Sequence, residues 1–355
     1  MDGDEQFSGL WVLPLEMRIG AAVLPVGGIA GVGTKPKHRN KGYAARCMRN
    51  ATAFMKEQRF ALGLLFGIPD FYHRYGYAVA LQEVSLKIQT RDAEGARRTH
   101  RVQAMRASDR AAALRLHRRA NALRTGTRLR TLRTWQPARR GTRFNVAASP
   151  YVAIGKHRRL EGCMMLDKLP NATVVSEIDA LSVAACESLI AFAAQDAIAK
   201  RAGELTIHAP ADHKIVEIAG NFGSTLSVRR PRCGGGMARV IDQECLLQAL
   251  TPELSRRAQT RPLAAWRGAI GIRTELGMSY LRVRADGVKL SRRCKRPDLA
   301  LELPQQLLAQ LVTGYRGVEN VLNERKTRVR GKSAHAVLSA LFPRQNPYMW
   351  CADRF

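Results

Sequence analysis

Two short stretches of the 355-residue sequence hold residue types whose spacing could do chemistry. The first is Arg39-Asn40-Lys41-Gly42-Tyr43-Ala44, inside a basic loop spanning residues 31–45. A helix N-terminus carries unpaired N–H groups and a partial positive charge, so it binds phosphate well. At Gly42 and Ala44 no large side chain would keep a pyrophosphate from the backbone. Arg39 and Lys41 add full charges. The second stretch is Phe71-Tyr72-His73-Arg74-Tyr75-Gly76-Tyr77. A tyrosine with an ordinary pKa of about 10 stays protonated at neutral pH and can donate a proton.

The elements that must position these residues are legible in the pattern. Residues 10–17 and 21–32 read as strands separated by Arg18-Ile19-Gly20, and Pro36 ends the second because proline supplies no donor to a ladder. Ala44, Met48, Ala51 and Met55 then recur at helical spacing, with Cys47 and Phe54 widening the stripe. Residues 61–66 read as a short buried strand and 67–70 as a turn. Tyr72 opens a short helix closed by Gly76, and residues 78–88 read as one further strand.

Beyond this unit, Ser108 and Asp109 can cap a helix through Ala120. Residues 151–156, 162–166, 174–181 and 204–208 read as strands, with a helix over 187–202. Cys233-Gly234-Gly235-Gly236 marks a turn or boundary. A strand follows over 237–241, then a hairpin near Asp286-Gly287 and helices over 304–312 and 333–341. The length suits two or three domains.

The net charge is +29. Arginine is densest over residues 91–143, where sixteen face only Asp92, Glu94 and Asp109. No motif of a nucleic-acid module accompanies the run, so it reads as solvated helix surface and specific nucleic-acid binding is not expected. The seven cysteines are scattered and never form Cys-x-x-Cys, which favours reduced thiols in a cytoplasm. The acidic opening (Asp2, Asp4, Glu5) is no signal peptide, and the longest uncharged run, 19–34, is short of the roughly 20 residues that span a bilayer. His208, Asp212 and His213 lack zinc spacing, and no metal is expected. Gly331-Lys332-Ser333 has Lys326 where a P-loop needs glycine, and Gly31-Val32-Gly33 runs into Pro36, which rules out a dinucleotide fingerprint.

In their order and spacing the two stretches resemble the acetyl-coenzyme A pyrophosphate loop and the Tyr-x-x-x-Gly-Phe/Tyr turn of the GNAT N-acetyltransferases. Across the whole chain, Pro36-x-His38-Arg39-x-x-Gly42, Tyr72-x-Arg74-Tyr75-Gly76-Tyr77 and the ending Asp353-Arg354-Phe355 resemble the enhanced intracellular survival family of that superfamily. The resemblance implies an α+β chain of three parts. These are a GNAT core over 1–95, a second, degenerate GNAT-like mixed-sheet domain without cofactor over 96–238, and a sterol-carrier-like domain over 239–355. It also implies that about 50 residues of the first domain, which help form its amine wall, are missing before Met1.

For the chemistry, the resemblance implies acetyl-coenzyme A as co-substrate and direct attack by a primary amine, without an acyl-enzyme; Cys47 reads as core. Backbone groups of Val32, Gly33 and Thr34 would hold the pantetheine arm and the carbonyl. Arg39, Asn40, Lys41, Gly42, Tyr43 and Ala44 would bind the pyrophosphate. Tyr72 would protonate the departing thiolate, while Tyr75 and Tyr77 read as core. The terminal carboxylate of Phe355 would be the base. With a reference pKa of about 3.5 it is weak, so it must be held directly, or through water, at the attacking ammonium. The apolar tail with Pro343, Pro347 and Trp350 reads as built to dock. Family members accept aminoglycosides, polyamines or lysine side chains and often form hexamers. The +29 charge argues against a polycationic acceptor unless the pocket is locally acidic. The alternative is a catalytically impaired coenzyme A- or lipid-binding interaction protein.

Overall fold

Strands β1 (Ser8–Ile19) and β2 (Ala22–Thr34) form an antiparallel hairpin turned at Gly20, whose φ of +58° suits glycine. Leu15, Met17 and Ile19 alternate inward on β1 and pack with Ala22, Leu24 and Val26 of β2. Pro14 is tolerated because β1 is the edge of its sheet. Helix α1 (Tyr43–Glu57) crosses the sheet with Met48, Ala51 and Met55 buried, and β3 (Leu62–Gly67) returns parallel to β2. This computed structural model describes residues 5–260, 263 and 265–355; the acidic opening at 1–4 lies outside them.

The strand expected over 78–88 is two strands in two sheets. β4 (Ala78–Val79) stays in the first sheet and β5 (Glu83–Gln89) joins the second. The N–H groups of Ala80 and Leu81 both donate to the Gly236 carbonyl, and that of Gln82 donates to Pro347. The strand Gly235–Val240 runs antiparallel between β3 and β4, giving the order β1, β2, β3, Gly235–Val240, β4. The sheets therefore do not follow linear boundaries at 95 and 238. Periodicity marks a segment as strand, whereas its partner is set by which sheet edge is open to it.

The second sheet runs in the order Ser224–Arg229, β5, Glu204–Ile207, Thr173–Ala180, Leu160–Asp167, Ala148–Ile154, Arg101–Ala104. Asp109 begins the helix Arg110–Ala120, and its carboxylate accepts the N–H of Arg106. The third sheet holds the expected hairpin, with Val283 opposite Val288. Its long helix Gln243–Ala258, unanticipated from a stretch broken by Pro252, packs Leu246 and Leu250 into one core with Leu24 and Leu308. The architecture is mixed α+β with three mixed sheets. Among the described residues no helix is long and apolar enough to cross a membrane.

The tail docks as expected. Phe342, Tyr348, Met349, Trp350 and Cys351 are buried. Trp350 donates its indole N–H to Asn121 at 3.0 Å, and the Tyr348 N–H donates to Thr125.

Candidate active site

The two parallel strands part before either ends. Pairing between β2 and β3 stops at Ile29–Leu65, although β2 continues to Thr34 and β3 to Gly67. The cause lies in β2. Between the pairs Trp11–Ala30 and Gly9–Gly33, β2 carries one residue more than β1, a bulge with Gly31 at φ +62°. The bulge leads β2 away from β3, leaving backbone groups without ladder partners on both sides of a V-shaped opening.

A cleft of about 590 Å³ fills this opening on the α1 side. It is lined by Val32, Gly33 and Thr34 from β2, by Arg39, Asn40, Gly42, Tyr43 and Ala44 from the loop and helix start, and by Tyr72. Lys41 is exposed on the same loop. Asn40 and Gly42 hold φ of +61° and +80°, and no side chain caps α1. The first-turn N–H groups of α1 thus face the cleft uncapped. A Cβ at Gly42 would meet nothing within 4 Å, so the space over the helix start is open. Glu5 ties down Lys35 and Lys37 at 3.0 and 2.9 Å, whereas among the described residues the Arg39 side chain makes only a 3.5 Å contact with the Thr34 carbonyl. His38 stacks on Phe7 at 4.0 Å, and burial, then Lys37 and Lys41, lower its pKa. Open N–H groups, an open φ-positive glycine and cations that form no ion pair among the described residues fit a pyrophosphate.

The alternation of strand residues divides this region into two faces. A Cβ at Gly27 would strike Met55 of α1, one at Gly63 the Tyr77 hydroxyl, and one at Gly67 the Tyr72 ring. A Cβ at Gly28 would instead strike the Phe355 ring, which also meets Phe66 edge-on at 5.8 Å. Tyr72 and Phe355 therefore flank the parting of the strands from opposite faces. Burial, with Tyr75 beside it, raises the Tyr72 pKa. Tyr77 is core, its pKa raised by burial, but Tyr75 is half-buried and lines the cleft. Cys47 is half-buried, 3.7 Å from the Ser8 hydroxyl.

The basic run is not uniformly solvated surface. Arg130 is buried and bridges Glu177, at 2.6 and 2.7 Å, to Asp353 of the tail, at 2.8 Å. His117 and Asn121 complete the cluster on Asp179, with Nδ1 of His117 at 2.7 Å from the carboxylate. His213, which has no zinc-ligand spacing in the sequence, lies 3.7 Å from Asp179 and edge-on to Trp350. Nothing local separates Arg130 from the fifteen other arginines of the run; only the carboxylates facing it mark it out.

Residues 1–80 match the acetyltransferase (GNAT) domain family. None of the curated proteins matches the sequence. Among solved structures the chain is similar to a GCN5-related N-acetyltransferase from Kribbella flavida, with a TM-score of 0.76 at 19% identity over 99% of this chain and 85% of that one. It is also similar to a conserved protein, a probable N-acyltransferase, from Enterococcus faecalis, with a TM-score of 0.79 at 16% identity over 99% and 87%. Eis1 from Mycobacterium abscessus follows, with a TM-score of 0.69 at 15% identity over 100% and 90%. At these identities the likeness is one of fold. The chain thus carries an acetyltransferase (GNAT) domain, an enzyme domain, in an overall fold shared with N-acetyltransferases.

Proposed function

We propose that the protein is an acetyl-coenzyme A-dependent N-acetyltransferase that acetylates a primary amine by direct attack. The observation that carries this reading is the parting of β2 from β3 after Ile29–Leu65, with the uncapped start of α1 beside it. The polar backbone of Val32, Gly33 and Thr34 would hold the pantetheine arm and polarise the carbonyl. Residues 39–44 would bind the pyrophosphate. Acetyl-coenzyme A supplies the activated thioester.

Tyr72, kept protonated by burial, donates its hydroxyl proton to the leaving sulfur. The α-carboxylate of Phe355, whose ring lies on the other face, would take the proton of the attacking amine. Cofactor and acceptor would meet through the sheet, at the gap. The fold likeness to Eis1 over the whole chain supports reading it within the enhanced intracellular survival family, with a sterol-carrier-like third unit.

Calorimetric titration of acetyl-coenzyme A into the wild type and an Arg39→Ala/Lys41→Ala variant tests the reading. Binding that the variant weakens ten- to a hundredfold is expected, since both charges sit at the exposed loop and each contributes modestly. A folded wild type that does not bind would overturn it.

A further inference from the structure

The face of the first sheet that carries Phe355 also borders a second cavity, of about 500 Å³. Its walls include Phe66, Gly67, Glu83, Arg140, Arg229 and Arg354. One partition separates it from the cofactor cleft: Phe66, Gly67 and Pro69 line this side, and Ile68, Phe71 and Tyr72 the other. It thus lies where an acceptor would wait under the function proposed above, on which this inference rests.

The wall is basic and its charges are unbalanced. Among the described residues Glu83 is its one lining carboxylate, and Arg229 already holds it at 2.7 Å. Asp167, packed beneath Gly141, accepts from the N–H and hydroxyl of Thr142. Arg140 donates one N–H to the Arg354 carbonyl, while its Nε is sealed from solvent with no partner. Burial lowers the Arg140 pKa; Cys351 works against this, and Arg354 beside it adds to the lowering. The Arg354 guanidinium is held by ring faces, at 5.2 Å over Phe66 and 5.7 Å over Tyr348, and by the Met349 carbonyl at 3.3 Å. Among the described residues neither Arg140 nor Arg354 has a carboxylate within ion-pair reach. Two desolvated guanidinium groups facing one cavity call for an anion between them.

We propose that this cavity is the acceptor pocket, and that the acceptor is a primary amine whose body carries a carboxylate or phosphate, held by Arg140 and Arg354 while the amine points to the gap between β2 and β3. A polycationic acceptor does not fit such a wall.

The test uses the full-length wild type and four-carbon primary amines that differ only at the far end: butylamine (methyl), 4-aminobutyrate (carboxylate) and putrescine (ammonium). 3-Aminopropyl phosphate separates phosphate from carboxylate. Acetyl-coenzyme A binding is measured in parallel. A kcat/KM for an anionic member at least about tenfold above butylamine, with putrescine lowest, is expected. Arg140→Gln should raise KM for the anionic amine with kcat kept, and collapse its advantage over butylamine, while Arg140→Lys restores part of it. If acetyl-coenzyme A binds and putrescine is used as well as 4-aminobutyrate or better, the anionic pocket is wrong and the proposed activity stands. If acetyl-coenzyme A does not bind, or no amine turns over, 4-aminobutyrate and inorganic phosphate are titrated directly into wild type and Arg140→Gln. Binding lost in the variant supports the pocket even though the activity is then in doubt; no binding overturns the pocket.

Discussion

The chain contains the same strand–helix–strand unit twice, and only one copy is left open. In the first unit, β2 and β3 are parallel, joined by α1, and pair only as far as Ile29–Leu65. In the second, Thr173–Ala180 and Glu204–Ile207 are parallel, joined by the helix Val183–Ala199, and pair only as far as Val175–Ile207. Both leave strand residues without a parallel partner. The first helix starts at Gly42 with no side-chain cap, whereas Ser182 caps the second by accepting the Ala185 N–H at 3.1 Å. Beyond the second gap, Glu177 and Asp179 are buried and engaged by Arg130, His117 and Asn121, and through Arg130 by Asp353 of the chain's own tail. The topology alone does not make a ligand site. A site remains where backbone donors stay unsatisfied and the gap is left empty.

The comparison breaks most visibly at Arg130. Arg130→Met leaves Glu177 and Asp353 buried without their shared cation, so it should cost about 3–5 kcal/mol in urea unfolding. A loss under about 1 kcal/mol would mean that the tail is held by apolar packing alone. Tyr72→Phe probes the open unit. It should lower kcat about a hundredfold while leaving acetyl-coenzyme A affinity and thermal stability in place. Unaltered kcat would remove Tyr72 as the proton donor.

The filled unit should also answer to acid. Burial by itself would raise the Asp179 pKa, but the charge and hydrogen bond of His117, followed by His213, hold it down to about 2. A carboxylate with a depressed folded pKa contributes stability above its unfolded pKa and loses it as pH falls through the folded one. Asp179 should therefore contribute about 2 kcal/mol above pH ~4, lost towards pH ~2. Asp179→Asn should flatten that part of a stability–pH profile; an unchanged profile would assign the acid sensitivity elsewhere. The smallest effects compare the two helix starts. Ser182→Ala should cost about 1 kcal/mol of stability and no acetyl-coenzyme A affinity. Gly42→Ala should cost a similar amount, about 1 kcal/mol, through its positive φ, and should also weaken acetyl-coenzyme A binding. Equal effects of the two substitutions on binding would erase the distinction between the units.

How much was legible depended on how far apart the contributing residues lie. The proposed phosphate loop is six adjacent residues at a strand end and a helix start, and each piece of its chemistry is local: a positive-φ glycine, an uncapped turn, two cationic side chains. Tyr72 is likewise fixed by its own turn, closed at Gly76 with φ +79°. The hairpin around Asp286-Gly287 was readable for the same reason; that the tail docks was readable from its apolar composition, but not where it docks.

The cavity proposed for the acceptor was not. It draws on residues 66, 83, 140, 229 and 354, which no window of sequence holds together. Arg130 and Arg140 look like their neighbours until burial and facing carboxylates, or the lack of them, give them different roles. The exchange of strands between the first two sheets was equally hidden, since β5 and Gly235–Val240 are ordinary strand segments whose partners lie far along the chain. The sequence alone determined the local backbone chemistry of the loop over residues 39–44, because conformation and charge there are set by adjacent residues. Only the tertiary structure decided which strand fills which sheet edge, which gap stays open and which arginines lose their water, because burial and pairing belong to surfaces that distant segments make together.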